Sequence, residues 1–556
     1  MIFLPVALVF LVVAPVLAAQ QQRPADLIVT NARIYTADQT RPTATAMAIR
    51  DGRIVFVGSE RGAMTFAGSS TERMDLDGKT VIPGMVDAHA HLVGLGQTLR
   101  RVDLVGTTSY EEIIERVVKR ARSAEPSEWI LGRGWDQNDW ADTRFPTHEA
   151  LSRAVPNNPV YLTRVDGHAA LINTKAMELA GVSSGTRDPE GGRFIRDNEG
   201  NPTGVLIDHA KDPVTRVIPA TSDEEIRAAT LAAIAEANRW GLTGIHDAGV
   251  GERTIGIYED LAREGNYNLR NYVMIRANEA TLDRFMRRGT QEALFDGRIW
   301  FHSIKITIDG ALGSRGAALL EDYDDEPGNR GLITADLDMT RRVAVKALRN
   351  GFQLNVHAIG DRANRIALDI FEDALNEVPV ADHRFRIEHA QILNYQDIPR
   401  FAELGVIPSM QGSHQTSDMY WVPARIGWSR AQGTYAWRSL LNTGVVIPNG
   451  SDLPVEHVNP LISFKAFVTR RDASGFPQGG WLPAERTTRQ EALLSMTLWP
   501  AFAAFMENET GSLTRGKYAD FVVLDQDIMT VSDDRILDTK VELTVLGGKV
   551  VYRRRT

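Results

Sequence analysis

Residues 84–91 read GMVDAHAH, an apolar run that follows Pro83 and ends in two histidines separated by one residue. Side chains two positions apart on a strand face the same side, so His89 and His91 can approach one cation. Taken alone the pair is weak evidence, because two histidines at a strand end can equally be satisfied by hydrogen bonds. Its meaning depends on what the rest of the chain brings near it.

Seven later apolar runs resemble this one, and most are separated from the next by a helical pattern. This alternation predicts parallel strands joined by helical crossovers. Eight such strands predict an α/β fold in the form of a closed (β/α)8 TIM-like barrel. The predicted strands are residues 84–88, 243–247, 271–276, 302–308, 353–357, 384–388, 405–410 and 446–451.

The two ends of the chain share a different sequence pattern, in which short β-type runs alternate with turns. Neither end has enough strands for a core of its own, so we expect residues 20–82 and 501–556 to form one β-sandwich beside a metal-binding barrel of residues 83–500. The interval between the first two barrel strands is far longer than a crossover needs. We therefore expect an inserted cap subdomain over about residues 97–220, above the C-terminal face of the barrel.

The first nineteen residues are apolar and end in small residues, which predicts a signal peptide over residues 1–19 and an exported protein, periplasmic or secreted. An uncleaved membrane anchor is the alternative. No later run is long enough to span a bilayer, so no stable membrane association is expected after cleavage. The formal net charge of −9 argues against a nucleic-acid partner and leaves a small-molecule substrate as the expected one; a homodimer stays open.

Three more candidate ligands lie at or just past predicted strand ends. His357 ends the fifth strand, His389 follows the sixth, and Asp452 follows the eighth. The C-terminal ends of barrel strands converge on one mouth, so these side chains are expected to meet the pair at residues 89 and 91. The chain contains no cysteine, so a metal there must be held by nitrogen and oxygen atoms.

Lys305 lies inside the fourth predicted strand, where an unpaired ammonium is costly to bury. Two explanations are open. The lysine pairs with Asp309 or extends to solvent, or it is carbamylated by CO2 and becomes an anionic ligand that bridges two metal ions. From spacing alone the first explanation is favoured.

The order of these residues, with HxH on the first strand, Lys on the fourth, His on the fifth and sixth and Asp on the eighth, resembles the amidohydrolase superfamily. Longer motifs are similar to those of its amidohydrolase-3 branch, which contains N-substituted formamide deformylase, from about residue 26 to 550. The sequence departs from this branch at Gly412, where proline is more common, and in its exported leader. The motifs are GWDQNDW, DGHAALINTKAMELAGV, KITIDGALGSRGAAL, VHAIGDRA, RIEHAQ, SMQGSHQTSD, GSDLPVEHVNP and GSLTRGKYADFVVLD.

The resemblance implies one or two divalent metal ions, with zinc as the expected element. It also favours carbamylation of Lys305 over its alternative. One ion would be held by His89, His91 and Asp452, the other by His357 and His389, with the carbamate of Lys305 between them.

The implied reaction is hydrolysis of a C–N bond in an amide, N-formyl, carbamate or cyclic ureide by metal-activated hydroxide, with Asp452 as general acid and base. His414 is the second catalytic candidate, and a supporting role is equally open. An esterase, lactonase or phosphotriesterase is the alternative enzyme, and a barrel that binds without catalysis is a third reading. Candidate substrate contacts, each with a structural alternative, are Trp135, Asp136, His168, Asp309 and Arg315.

Overall fold

The computed structural model describes residues 23–99 and 101–555, so the predicted signal peptide lies outside the described residues. Eight parallel strands, numbered β1 to β8 in chain order, follow one another around a barrel in this part of the chain. Each of the predicted strands is present, and the (β/α)8 prediction is confirmed. The strands are Met85–Ala90, Leu242–Val250, Arg270–Arg276, Ile299–Thr307, Gln353–Ala358, Arg386–His389, Ile407–Gln411 and Asn449–Gly450.

Two backbone hydrogen bonds close the barrel between its last and first strands. The amide of Asp452 donates to the carbonyl of His89 at 2.8 Å, and the amide of His91 donates to the carbonyl of Leu453 at 2.9 Å. The side chain of Asp87 strengthens this closure, because it accepts hydrogen bonds from the backbone and the hydroxyl of Ser451 at 3.0 and 2.5 Å. The first and last metal-ligand candidates are thereby fixed to each other.

Helices surround the barrel and pack their apolar faces on its strands. The helix Asp223–Arg239 begins with a capping box in which Ser222 and Glu225 satisfy each other's backbone amides, which fixes where the second barrel unit starts. The other outer helices are Glu252–Arg263, Glu279–Arg288, Leu337–Arg349, Asp361–Glu377, Ile398–Leu404 and Pro460–Thr469. Shorter helices lie in the loops and after the barrel: Leu92–Thr98, Gly412–Asp418, Val422–Ala431, Trp437–Leu441, Arg489–Ser495 and Leu498–Ala503.

An inserted domain lies between β1 and β2. It has its own apolar core around Trp135, Leu151 and Leu171, packed under a six-stranded sheet within the described residues. In spatial order the strands are Gly192–Arg196, Pro202–Asp208, Ala169–Ile172, Val160–Arg164, Ile130–Trp135 and Val102–Asp103. Its helices are Tyr110–Ala121, His148–Ala154, Thr174–Ala180 and Asp212–Thr215.

A β-sandwich takes strands from both ends of the described chain. Phe521–Leu524 pairs antiparallel with Thr80–Pro83, with Val522 opposite Ile82. The two sheets enclose a common apolar core. One sheet has the order Lys549–Arg553, Val541–Leu546, Phe521–Leu524, Thr80–Pro83, Arg33–Tyr35, Thr43–Ala44, and the other Arg53–Gly58, Ala46–Arg50, Leu27–Thr30, Glu72–Asp75.

A buried ion pair fastens the barrel to the sandwich. Arg270, at the start of β3, donates to Asp520 through Nε at 2.5 Å and Nη2 at 2.8 Å, and its guanidinium lies 3.7 Å from the ring centre of Tyr518. Among the described residues, no helix combines the length and the apolar character needed to cross a bilayer.

Candidate metal centre and its cavity

Histidines from separate strands meet at the barrel mouth. The ring centres of His89 and His389 are 4.8 Å apart, those of His389 and His357 are 4.5 Å apart, and His91 lies 5.6 Å from His89. These residues come from the ends of β1, β5 and β6, which are far apart in sequence and converge because the strands are parallel. The structure thus brings the four histidines of the predicted set together.

Asp452, directly after β8, reaches the same cluster. Its Oδ1 lies 3.0 Å from Nε2 of His91 and 3.7 Å from Nε2 of His89. Potential ligand atoms of His89, His389 and Asp452 all lie within 4.8 Å of one another. The backbone of Asp452 is held in the left-handed region, at a φ of 57°, a strained conformation of the kind found at functional sites.

The chemistry of this cluster fits a divalent cation. Imidazole nitrogens and a carboxylate oxygen are the donors that zinc takes from proteins lacking thiolates. Nε2 of His357 is buried and has no hydrogen-bond partner among the described residues. Its nearest carboxylate oxygen, Oδ1 of Asp309, lies 3.5 Å away, and because buried polar atoms are rarely left unsatisfied, this nitrogen is suited to a metal ion.

In His89, His91 and His389, the ring nitrogen that faces away from the cluster has a partner. His89 Nδ1 lies 2.5 Å from Glu388, His91 Nδ1 lies 3.0 Å from the carbonyl of Ala248, and His389 Nδ1 lies 2.8 Å from Oε1 of Gln411. A partner on one ring nitrogen fixes the orientation of the ring and leaves Nε2 free to bind a metal. Burial lowers the pKa of His89 to about 4, so its imidazole is neutral at physiological pH, as a ligand must be.

Glu388 and Arg386 form a buried charged pair behind His89, and sequence analysis did not single them out. Nε of Arg386 lies 2.8 Å from Oε1 of Glu388, and the same guanidinium donates to Nδ1 of His246 at 2.9 Å and to the carbonyl of Ala88 at 2.7 Å. Burial raises the pKa of Glu388, but the charge of Arg386 and the hydrogen bond from His89 outweigh it and hold this pKa well below its usual range. The signal was present in the RIEHAQ motif, where two charged residues share one face of an otherwise buried strand.

Lys305, on β4, is buried with its Nζ 3.4 Å from Nε2 of His89. Among the described residues, no carboxylate lies within ion-pair distance of this amine. Asp309 is engaged elsewhere, since it accepts hydrogen bonds from three backbone amides between 2.9 and 3.0 Å. The alternative in which Lys305 pairs with Asp309 is therefore not what the structure shows. Burial lowers the pKa of Lys305 to about 8.

A cavity of about 980 Å³ opens from the cluster between the barrel and the inserted domain. Its wall includes Asp136 and His168 from the inserted domain, and His414 from the helix that follows β7. The His414 ring lies 6.0 Å from that of His389. Nδ1 of His168 lies 2.6 Å from Asp208, and its ring lies 5.3 Å from that of His357. The inserted domain thus reaches the metal-ligand candidates directly.

Three predicted substrate contacts lie outside the cavity wall. Trp135 is fully buried in the core of the inserted domain and donates its Nε1 hydrogen to the carbonyl of Leu162. Arg315 is held by Asp325 at 2.9 Å, and Asp309 is turned towards the backbone amides that it organises. Each of these side chains is used in packing or in shaping a loop, and its contact with substrate stays a prediction.

A sequence profile described as the amidohydrolase family, Amidohydro_3, matches residues 72–552. The chain belongs to the amidohydrolase family. Protein LONG AFTER FAR-RED 3 of Arabidopsis thaliana is 36% identical over 544 residues, which cover 95% of this chain and 92% of that protein. N-substituted formamide deformylase of Arthrobacter pascens is 28% identical over 557 residues, with 95% and 98% covered. An uncharacterized metal-dependent hydrolase from Pyrococcus furiosus has a TM-score of 0.72 at 29% identity, with 91% and 100% covered.

Family membership and geometry agree on the class of chemistry. A nearly closed barrel whose mouth gathers histidines and an aspartate is the arrangement of a metal-dependent hydrolase of the amidohydrolase type. Which bond this amidohydrolase cleaves depends on the cavity above the cluster.

Proposed function

We propose that this protein hydrolyses a non-peptide or small-peptide-like C–N bond, in an amide, N-formyl compound, carbamate or cyclic ureide. The observation that carries the proposal is the convergence of His89, His357, His389 and Asp452 at one barrel mouth, beneath a cavity large enough for a small organic substrate. The likeness to a protein named N-substituted formamide deformylase, over nearly the whole chain, supports the C–N bond as the target.

The donor set supports one or two zinc ions. His89, His91 and Asp452 would hold one ion and His357 and His389 a second, with a carbamate on Lys305 between them. A divalent cation supplies an acidified water and polarises the substrate carbonyl. Carbamylation requires a neutral amine, and the pKa of about 8 means that a fraction of the Lys305 side chain is neutral near physiological pH.

Asp452 is the proposed general base and acid. Burial raises the pKa of its carboxyl, but the hydrogen bond from His91 and the neighbouring imidazole rings hold that pKa well below its usual range. The carboxylate is therefore ionised and able to take a proton from the attacking water. It would then deliver the proton to the leaving nitrogen.

His414 is proposed to hydrogen-bond the substrate carbonyl. It lies on the cavity wall beside the ligands without being one of the clustered donor atoms. The inserted domain, through His168 and Asp136, would cover the reacting bond and exclude bulk water.

A substrate screen with metal analysis on the same sample tests the proposal. The panel contains N-formyl amines, N-acyl amino acids, aryl amides, carbamates and cyclic ureides, with esters, lactones and phosphotriesters as the alternative class. We expect cleavage of at least one C–N compound by protein that carries one or two divalent ions per chain. Cleavage confined to esters, lactones or phosphotriesters would assign the alternative activity, and a metal-replete protein inactive on every compound would favour a non-catalytic barrel.

The Asp452→Asn variant tests the assignment of the base. Loss of proton transfer is expected to lower kcat by about 10²- to 10⁴-fold. Asp382→Asn, which changes an exposed aspartate outside the cavity wall, is the matched control and should retain activity. Undiminished turnover in Asp452→Asn with a full metal complement would remove Asp452 from this role.

A further inference from the structure

The inserted domain places two arginines, Arg101 and Arg133, on the cavity wall. Nη2 of Arg133 donates to the carbonyl of Val165 at 2.8 Å, whereas its Nε is buried without a hydrogen-bond partner. Across residues 23–99 and 101–555, neither guanidinium has a carboxylate within ion-pair distance. The wall thus carries positive charge that the described protein does not neutralise by direct contact.

Arg164, on the same wall, differs from these two arginines because its guanidinium is paired with carboxylates. Arg164 is fully buried and contacts Asp136, Asp166 at 2.7 Å and Gln137 at 2.9 Å. Asp136 and Asp166 are therefore already paired with Arg164. Asp208, a further carboxylate of the domain, lies 2.6 Å from Nδ1 of His168.

Burial without an anionic partner is costly for a guanidinium, because it remains charged at all physiological pH values. Burial lowers the pKa of Arg133, and the positive charge of Arg101 adds to the effect. The charges of Asp452 and Asp166 act in the opposite sense, and Arg133 lines the same cavity as Asp452. An anion between these arginines and the cluster would relieve the imbalance.

The cavity wall also carries acids that contact neither arginine. Asp418 accepts hydrogen bonds from Gln391 at 2.8 Å and Tyr435 at 2.5 Å, and Glu456 accepts one from Ser417 at 2.7 Å. Both acids line the cavity, and burial raises the pKa of each, that of Asp418 to about 7. Within the described residues, Arg101 and Arg133 thus remain available to an anionic ligand.

We propose that Arg133, assisted by Arg101, binds a carboxylate of the substrate, so that the preferred substrate is a C–N compound such as an N-acyl or N-carbamoyl amino acid. The inference rests on the proposed function for the bond that is cleaved. A planar guanidinium presents paired N–H donors that match the two oxygens of a carboxylate. The carboxylate lies at the end of the substrate away from the scissile bond, and Arg133 acts as a specificity-determining residue.

Matched substrate pairs test the inference. Each pair consists of an N-acyl amino acid and its C-terminal N-methylamide, in which a neutral amide replaces the charged carboxylate. For the wild-type protein we expect kcat/KM to favour the carboxylate by about 10- to 100-fold, mainly through KM, because a charge-assisted hydrogen bond contributes in this range. Arg133→Met should reduce the preference to less than about threefold, and Arg133→Lys should restore part of it.

Arg122→Met, an exposed arginine of the same domain, is the control and should keep the full preference. A merely structural role for Arg133 would lower activity on both members of a pair equally, and that result would overturn the inference. Thermal unfolding of each variant shows whether it is folded. If Arg133→Met does not fold, Arg133→Gln takes its place in the comparison.

Equilibrium binding separates this inference from the proposed function. The probes are 4-phenylbutyrate, which has a carboxylate and no C–N bond, and neutral 4-phenylbutanol, titrated calorimetrically into the metal-loaded protein. We expect the carboxylate to bind more tightly, by about tenfold or more, and Arg133→Met to abolish the difference. Carboxylate binding unchanged by Arg133→Met would place the anion elsewhere, and stronger displacement by inorganic phosphate than by acetate would assign the arginines to phosphate instead.

Failure of the proposed reaction and failure of the anion site give different results. Arg133-dependent carboxylate binding without hydrolysis of any C–N compound would retain the anion site and remove the proposed reaction. Hydrolysis of amides with no preference for the charged member would retain the reaction and remove the anion site.

Discussion

At the scale of single residues, the ligand set depends on charged groups that never face the substrate. Glu388 holds Nδ1 of His89 and is itself held by Arg386, and both acid and base are completely buried. Such a carboxylate orients the imidazole and increases its basicity towards a metal. The metal affinity of this site is therefore expected to depend on a residue that is not a ligand.

The Glu388→Gln variant tests this dependence, since it keeps the shape of the side chain and removes its charge. We expect metal affinity, measured by competition with a chromogenic chelator, to fall by about 10- to 100-fold. The exposed Glu372, which pairs with Arg400 at 2.8 Å, provides the matched control as Glu372→Gln. Equal affinities of the two variants would show that Glu388 does not tune the site.

The sequence reveals ligand positions better than it reveals their surroundings. His89, His357, His389 and Asp452 could be found because each lies at a strand end, and the barrel topology alone brings such ends together. The inserted domain offers no comparable rule. Trp135 lies in a motif beside Asp136, yet only the packing of that domain decides that the ring turns into its core while the carboxylate faces the cavity.

At the scale of elements, the helix Arg489–Ser495 shows how a short segment is held after the barrel. Glu491 completes a capping box with Thr488 and also pairs with Arg438 at 2.5 and 2.9 Å. Partial burial raises the pKa of Glu491, but the hydrogen bonds from Arg438 and Thr488 outweigh it and lower the pKa to about 2. The helix start is thereby connected to the helix Trp437–Leu441.

The stabilisation from Glu491 should depend on pH with a defined sign. Because the folded pKa lies below the unfolded value of about 4.3, the contribution is complete above that pH and is lost as pH falls towards 2. Glu491→Gln is expected to lower stability by about 1 to 2 kcal/mol at pH 6 and by progressively less below pH 4.3. Melting temperatures at several pH values measure this, with exposed Glu403→Gln as the control; a difference that grows on acidification would contradict the assignment.

Strand positions were predicted more accurately than strand lengths. β8 pairs with β7 only at Asn449 and Gly450, although the apolar run spans residues 446–451. Pro448 lacks an amide hydrogen and cannot donate to the ladder, which shortens the strand. β2 is longer than predicted. Leu242–Val250 extends beyond the predicted residues 243–247, with shifts in register along its length.

At the scale of the whole molecule, the barrel and the sandwich are connected by the Arg270–Asp520 pair, buried at 2% and 6% side-chain exposure. Because both side chains are buried, water cannot solvate either charge if its partner is removed. Arg270→Met is therefore expected to reduce stability by about 3 to 5 kcal/mol, because it leaves a buried carboxylate unpaired. Chemical denaturation followed by tryptophan fluorescence provides the measurement.

The double variant Arg270→Met with Asp520→Leu is the control for that prediction. Removing both charges eliminates the unpaired carboxylate, so the double variant should be more stable than Arg270→Met alone. A double variant no more stable than the single one would show that shape at this junction matters more than charge.

The pairing of the two chain ends could be predicted because neither end has enough strands to close a core alone. The register that sets Val522 opposite Ile82 was not, because nothing in either run distinguishes it from neighbouring alignments. The signal peptide, export and the oligomeric state stay predictions from the sequence.

The shared sheet pairs strands that are synthesised at very different times. Thr80–Pro83 leaves the ribosome long before its partner Phe521–Leu524, which is encoded about 440 residues later. At roughly 5 to 20 residues per second, this strand waits on the order of a minute without its central neighbour. During that time an apolar edge stays open to wrong partners, so the nascent chain is expected to need a chaperone until its final strands emerge.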